Sequence, residues 1–271
     1  MPLSEQTIAQ LKAKGADVEA AKAKNLEEVG YQYRLMMAYV KKVLADPKRV
    51  YPDYDPKAGY EIAGFAWLQG YNDFVGGNYP NVDPKAGKGG LKDFSEYTRL
   101  LGCFVRDIRK ELNAPKMPFV VGVFGMGGKN AEGNIVAFRK AQAATAELPE
   151  FKGNVINVFT ENFWPEEIDP IMAKIQQKSK QEDKYEAKSA EIMKELKAAR
   201  EEMKTAKGNT RWLQRKIWAL EKDLTNSFLT LEEVKLLEVG VSDAWFHYWG
   251  SAKFHCRTGK AFAEALVGDK K

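Results

Sequence analysis

The run Phe119-Val-Val-Gly-Val-Phe124 constrains this chain more than any other stretch. Six residues in a row offer no polar side chain, so the segment has no face to give to water. It predicts a strand covered on both sides, as in a parallel sheet. Two other runs read the same way: Ile62 to Leu68, rich in aromatic and branched residues, and Asn154-Val-Ile-Asn-Val-Phe159. An amphipathic helix is expected between the first two. Over Phe94 to Leu112 it gathers Leu100, Leu101, Phe104, Val105, Ile108 and Leu112 on one face. A second helix, Asn134 to Glu147, separates the second and third runs. Strand, helix, strand, helix, strand predicts βαβ units and an α/β fold.

Ligands bind beyond the carboxyl ends of strands in open α/β sheets. Two tips then fall on the ligand edge: Gln69-Gly-Tyr-Asn-Asp73 and Gly125-Met-Gly-Gly128. Gly70 lets the backbone turn sharply. Asn72 brings an amide donor, and Asp73 an acceptor or a charge. A third segment, Ser242 to Gly250, precedes the closing helix and carries His247, a residue suited to general-base work. His255 falls inside that helix and reads as structural.

The rest of the chain frames these elements. Gln6 to Asn25 reads as one solvated, marginal helix, and Glu27 to Leu44 as a better one. Gly76 to Gly90 is a long Gly/Pro/Asn loop. Ile168 to Lys207 is dense in Lys and Glu; after a break at Lys207-Gly208-Asn209, Arg211 to Leu224 resumes as a helix. Together they predict an αα-hairpin. Thr230-Leu-Glu-Glu233 is a capping box. The reading gives a marginal N-terminal helix at 1–26, a first α/β part at 27–167, a helical hairpin insertion at 168–229, and a closing α/β segment at 230–271.

The formal net charge of +5, from 42 Lys+Arg and 37 Asp+Glu, is not the clustered stripe of a nucleic-acid binder. The signs alternate along the Lys/Glu arm, which argues the same way. Two cysteines far apart and two histidines give no metal-spaced set and no disulfide framework. No metal and no cofactor are expected. No apolar run approaches the ~18 residues needed to span a bilayer, so no membrane is expected. The first residues, Met1-Pro-Leu-Ser-Glu-Gln, lack a signal pattern.

Four blocks carry a resemblance: Trp67-Leu-Gln-Gly-Tyr-Asn-Asp73, Phe104-Val-Arg-Asp-Ile-Arg-Lys-Glu-Leu112, Pro118-Phe-Val-Val-Gly122, and His247-Tyr-Trp-Gly-Ser-Ala-Lys253 followed by Gly259-Lys-Ala-Phe262. Together they resemble the sialate O-acetylesterase-like carbohydrate esterases of the SGNH hydrolase superfamily. The resemblance runs from about Tyr31 onward and implies a three-layer α/β/α parallel sheet of SGNH/flavodoxin-like type. It implies an acetylated carbohydrate as partner and deacetylation by Ser-His acyl transfer. Asn72 would donate to the oxyanion, Gly70 would shape the turn, and His247 would be the base. Gln69, Asp73 and Trp67 would meet substrate. Family members carry their serine in a Gly-x-Ser-Asn-type block after the first strand, and a second block adds a backbone Gly donor. Neither block occurs here, where Ser4 is the one serine in the first fifty residues. The expectation is a sheet lacking its first strands and a nucleophile absent from this chain. Ser242 and Ser251 are not candidates for it. The Asp usual three residues before the histidine is Ala244, leaving Asp243 to orient His247. The alternative is a non-catalytic carbohydrate-binding or scaffolding remnant that uses the hairpin for partners.

Overall fold

The computed structural model describes residues 3–87 and 89–268. The chain divides into two compact units, 1–62 and 63–271. The first unit holds the expected N-terminal helical stretch together with the helix that follows it. The backbone ladder of the sheet begins only at Phe65, whose N–H donates to the Pro118 carbonyl at 3.0 Å.

The first unit holds three helices: α1 (Glu5–Ala13), α2 (Val18–Glu28) and α3 (Tyr31–Ala45). The single helix expected over Gln6 to Asn25 is therefore two. Gly15 at φ +65° ends one, and Asp17 caps the next by accepting from the Ala20 amide at 3.0 Å. No residue of α1 or α2 is buried, in keeping with the solvated reading of Gln6 to Asn25; in α3 Met37 alone is buried, and Tyr31, Leu35 and Tyr39 of its apolar stripe are exposed.

The second unit is α/β. It runs β1 (Phe65–Leu68), α4 (Tyr71–Gly76), α5 (Ser95–Glu111), β2 (Phe119–Val123), α6 (Asn134–Ala144) and β3 (Val155–Phe159). Then follow α7 (Asp169–Ser179), α8 (Ala187–Thr205), α9 (Arg211–Ser227), α10 (Leu231–Gly240) and α11 (Ala252–Val267). The three strands are parallel in the order β1-β2-β3, with Phe65 opposite Phe119 and Phe119 opposite Val155. Every residue of β2 is buried, as its unbroken apolar run requires.

Helices cover both faces of the sheet. Phe119, Val121 and Val123 point into the core shared with α5 and α6, where Phe104 meets Phe119 edge-on at 6.0 Å. Gly122 points the other way, towards α11. A Cβ there would lie 2.7 Å from Phe262 and 2.8 Å from Leu68, so only glycine lets α11 approach this closely. The buried face of α5 is Tyr97, Leu101, Val105 and Ile108. It starts a turn earlier than the sequence stripe suggests and leaves Leu100 exposed. Burying Val105 or Ile108 fully contributes ~1.5–3 kcal/mol each.

Several boundaries move. The first strand is Phe65–Leu68, not Ile62–Leu68, and its polar tip is not all loop, because α4 starts at Tyr71. The helix expected over Ile168 to Lys207 is two, α7 and α8, with a 3₁₀ turn at Glu182–Lys184 between them. The hairpin is α8 against α9. Ser189 meets Ser227 at 2.8 Å and Arg200 meets Glu221 at 2.7 Å, a pairing that only antiparallel helices give. Leu196, Ala199, Leu213 and Leu224 are buried in this pair. The capping box at Thr230 is formed, with both reciprocal hydrogen bonds present.

Candidate active site

A cavity of about 530 Å³ opens at the carboxyl edge of the sheet. The tail of β1 and the start of α4 supply Leu68, Gln69, Gly70, Tyr71 and Asn72, while Phe124 comes from the tip of β2. The loop between α10 and α11 supplies Asp243, Phe246, His247, Tyr248 and Gly250, and α11 adds His255. Five residues singled out in the sequence therefore meet around one space: Gln69, Gly70, Asn72, Asp243 and His247. Trp67 does not join them. It points to the α5 face of the sheet, 4.5 Å from Phe104. Asp73 is also outside the lining, and its carboxylate accepts from Gln69 Nε2 at 2.5 Å.

Gly70 holds the first wall. It is buried, and a Cβ on it would sit 2.8 Å from Phe138 and 3.0 Å from Gln142 Nε2. Gln142, only 1 % exposed, is the tie beneath. Its Oε1 accepts from the Phe124 amide at 2.7 Å, and its Nε2 donates to the Gln69 carbonyl at 2.9 Å. One side chain thus joins the ends of β1 and β2 just before they open into the cavity. Arg139, 8 % exposed, performs a similar task for the next loop. It donates to the carbonyls of Phe124, Met126 and Gly128 at 2.6, 2.9 and 2.8 Å. Burial pulls its guanidinium below the ordinary arginine value.

The histidine loop is the second wall. The segment expected as plain loop contains a 3₁₀ turn, Trp245–Gly250, interrupted by left-handed backbone. Tyr248 lies at φ 55°, ψ 36° and Trp249 at φ 59°, ψ 10°, followed by Gly250 at φ 61°. Non-glycine residues held there cost about 1–3 kcal/mol each and persist only where packing over-determines them. The packing is present. Tyr248 stacks on Phe254 at 3.9 Å, and its phenol oxygen accepts from the Gly125 amide at 3.5 Å. Burial raises the Tyr248 phenol above its ordinary value. The Trp249 carbonyl accepts from the Ser242 and Asp243 amides at 2.8 and 3.1 Å.

This turn carries His247 out to the cavity, with Nδ1 3.1 Å from Asp243 Oδ2. The Ala244 amide, donating at 2.6 Å, and then His247 hold the Asp243 carboxyl below its ordinary value. An Nδ1–H directed at Asp243 leaves the lone pair on Nε2, the arrangement a general base requires. The aspartate sits four residues before the histidine, not three, and the 3₁₀ turn brings them together.

Ser242 and Ser251 are occupied elsewhere. Ser242 Oγ donates to the Gly250 carbonyl at 2.9 Å, and buried Ser251 caps α11. No Ser, Thr or Cys is among the described residues that line the cavity. His255 lies inside the closing helix α11 as expected, is exposed there and also lines the cavity. Its position eight residues after His247 carries no local signal of that. Gln142 and Arg139 lie in the helix expected over Asn134 to Glu147, and the sequence reading singled out neither. Among the described residues no group of three or more His, Cys, Asp and Glu side chains gathers to hold a metal ion, and no helix is long and apolar enough to cross a membrane.

Comparison of the chain with known protein families, with curated proteins and with solved structures finds no match.

Proposed function

We propose that the cavity is the base-and-oxyanion part of an acetyl-ester hydrolase site acting on an acetylated carbohydrate, in the manner of the sialate O-acetylesterase-like family. The observation that carries this reading is the Asp243–His247 pair at 3.1 Å, facing the same cavity as Asn72. His247 Nε2 takes the proton of a hydroxyl as its oxygen attacks the acetyl carbonyl. Asn72 Nδ2 donates to the oxyanion that forms, and such a donor is worth ~2.7–4 kcal/mol at the transition state. The imidazolium, stabilised by Asp243, then returns the proton to the departing sugar oxygen. In Ser-His acyl transfer the attacking hydroxyl is a serine; with no Ser, Thr or Cys among the described lining residues, the attacking group in this proposal is a water molecule. The SGNH-like arrangement and the reading of the hairpin as an insertion belong to this proposal.

The test is hydrolysis of p-nitrophenyl acetate and of an O-acetylated sugar by the intact chain. General-base action predicts a rate ~10²-fold or more above buffer. His247→Ala brings it to background, and Asn72→Ala lowers kcat by about 10²–10³. Unchanged turnover in His247→Ala sinks the assignment. The absence of Ser, Thr and Cys among the described lining residues favours one second reading, a carbohydrate-binding module. Binding of the acetylated sugar with no turnover above buffer selects it.

A further inference from the structure

We infer that Tyr71 and Phe246 form a clamp that sets the spacing between Asn72 and His247, which makes Tyr71 a positioning residue. The inference rests on the hydrolase reading above. Each ring immediately precedes in sequence one of the two groups assigned to chemistry. The two rings are stacked, with centroids 4.7 Å apart and planes 13° from parallel. Trp245 closes on Tyr71 edge-first at 6.3 Å, and the imidazole of His247 meets Phe246 edge-first at 4.5 Å. A continuous file of rings therefore runs from α4 to the base.

The other ties of the loop hold different parts. Tyr248 is fixed by Phe254 and by the Gly125 amide, and Trp249 by the amides of Ser242 and Asp243. These secure the inner half, residues 248–250. On the outer half, His247 N–H donates only locally, to the Ala244 carbonyl at 2.9 Å. The stack on Tyr71 is what joins this half to the opposite wall. α4 is a firm support despite its six residues and its lack of a side-chain cap. Phe74 anchors it in the core against Phe94, Phe124 and Phe138, with centroids 6.1, 5.5 and 5.7 Å away. A misplacement of about 1 Å in such a site costs on the order of 10²-fold in rate.

The experiment is a double-mutant cycle on the intact chain with p-nitrophenyl acetate, joined to backbone ¹⁵N relaxation. Tyr71→Leu and Phe246→Leu are each expected to lower kcat about 10–10²-fold with KM changed by less than about twofold. The double variant should be no worse than the poorer single one, because both remove one contact. Tyr71→Phe keeps the ring and restores kcat. Independently of turnover, the order parameters of residues 244–247 should fall towards about 0.6 in Tyr71→Leu and stay near about 0.85 in Tyr71→Phe. Additive losses in the cycle, or unchanged order parameters in Tyr71→Leu, overturn the clamp. If the intact chain gives no turnover, the hydrolase reading fails by itself, and the order parameters alone decide the clamp.

Discussion

Gln142 shows what a single buried polar side chain contributes. It satisfies a donor at the end of β2 and an acceptor at the end of β1. Replacing it by an apolar residue of similar size strands both groups, each at ~1–3 kcal/mol. Gln142→Leu should therefore lower unfolding stability by about 2–6 kcal/mol, read as a shift in the urea midpoint with an unchanged slope. Fold and site were unequally legible at this scale. Asn72, Gly70 and His247 stood out because each follows or precedes a strongly patterned element. The Asp243 contact depends on a 3₁₀ turn with two left-handed residues, and aromatic sequence around His247 announces no such backbone. Trp67 illustrates the opposite error. Strand alternation sends neighbouring side chains to opposite faces, so Leu68 at the end of β1 reaches the cavity while Trp67 beside it packs on Phe104 of α5.

Among the elements, those with local signals were the readable ones. The capping box fixes the start of α10: Thr230 Oγ1 accepts from the Glu233 amide at 3.2 Å, while Glu233 Oε2 accepts from the Thr230 amide at 2.7 Å. The same carboxylate pairs with Lys174 of α7 at 2.7 Å. Thr230→Ala should cost about 0.5–2 kcal/mol in chemical denaturation, the range for loss of a helix cap. The division between α7 and α8 had no such marker, since the Lys/Glu-rich sequence carries no proline or glycine there. It is made by tertiary contact. Tyr185 turns inward to pack on Phe228 at 5.3 Å, and its hydroxyl donates to the Ser179 carbonyl at 3.2 Å. A break set from a distant helix is invisible to local pattern. The parallel sheet, by contrast, was legible from three apolar runs and the helices between them.

The whole molecule should respond to pH at both extremes. Carboxyls lie below their ordinary values at Glu96, Glu150, Glu167 and Glu233, held by Arg99, Arg106, Lys253 and Lys174. Asp93 and Asp243 are held low by the Ser95 and Ala244 amides. A lowered folded value favours the native state above the ordinary range and gives that up as pH falls through it. The thermal midpoint should thus be flat near neutrality and decline below about pH 4–5. High salt should weaken the decline, since the ion pairs are exposed. Tyr79 acts at the other end. Burial, with Asp73 and Glu96 near, pushes its phenol from 10.0 to about 12. Its contribution is complete below pH 10.0 and is lost as pH rises towards about 12. A midpoint that keeps rising into acid, or is insensitive between those alkaline values, contradicts the assignment.

The strand order has a consequence for how such a chain is made. Each strand pairs with its neighbour in sequence, so no part of the sheet waits for a later segment. Domains fold as synthesis proceeds from the N-terminus. On the ribosome, the pairing of β1, β2 and β3 is available once Phe159 has cleared the exit tunnel. The helical hairpin has not left the tunnel at that stage, and the loop bearing His247 emerges later still. The base would then dock last, onto an edge already built and waiting.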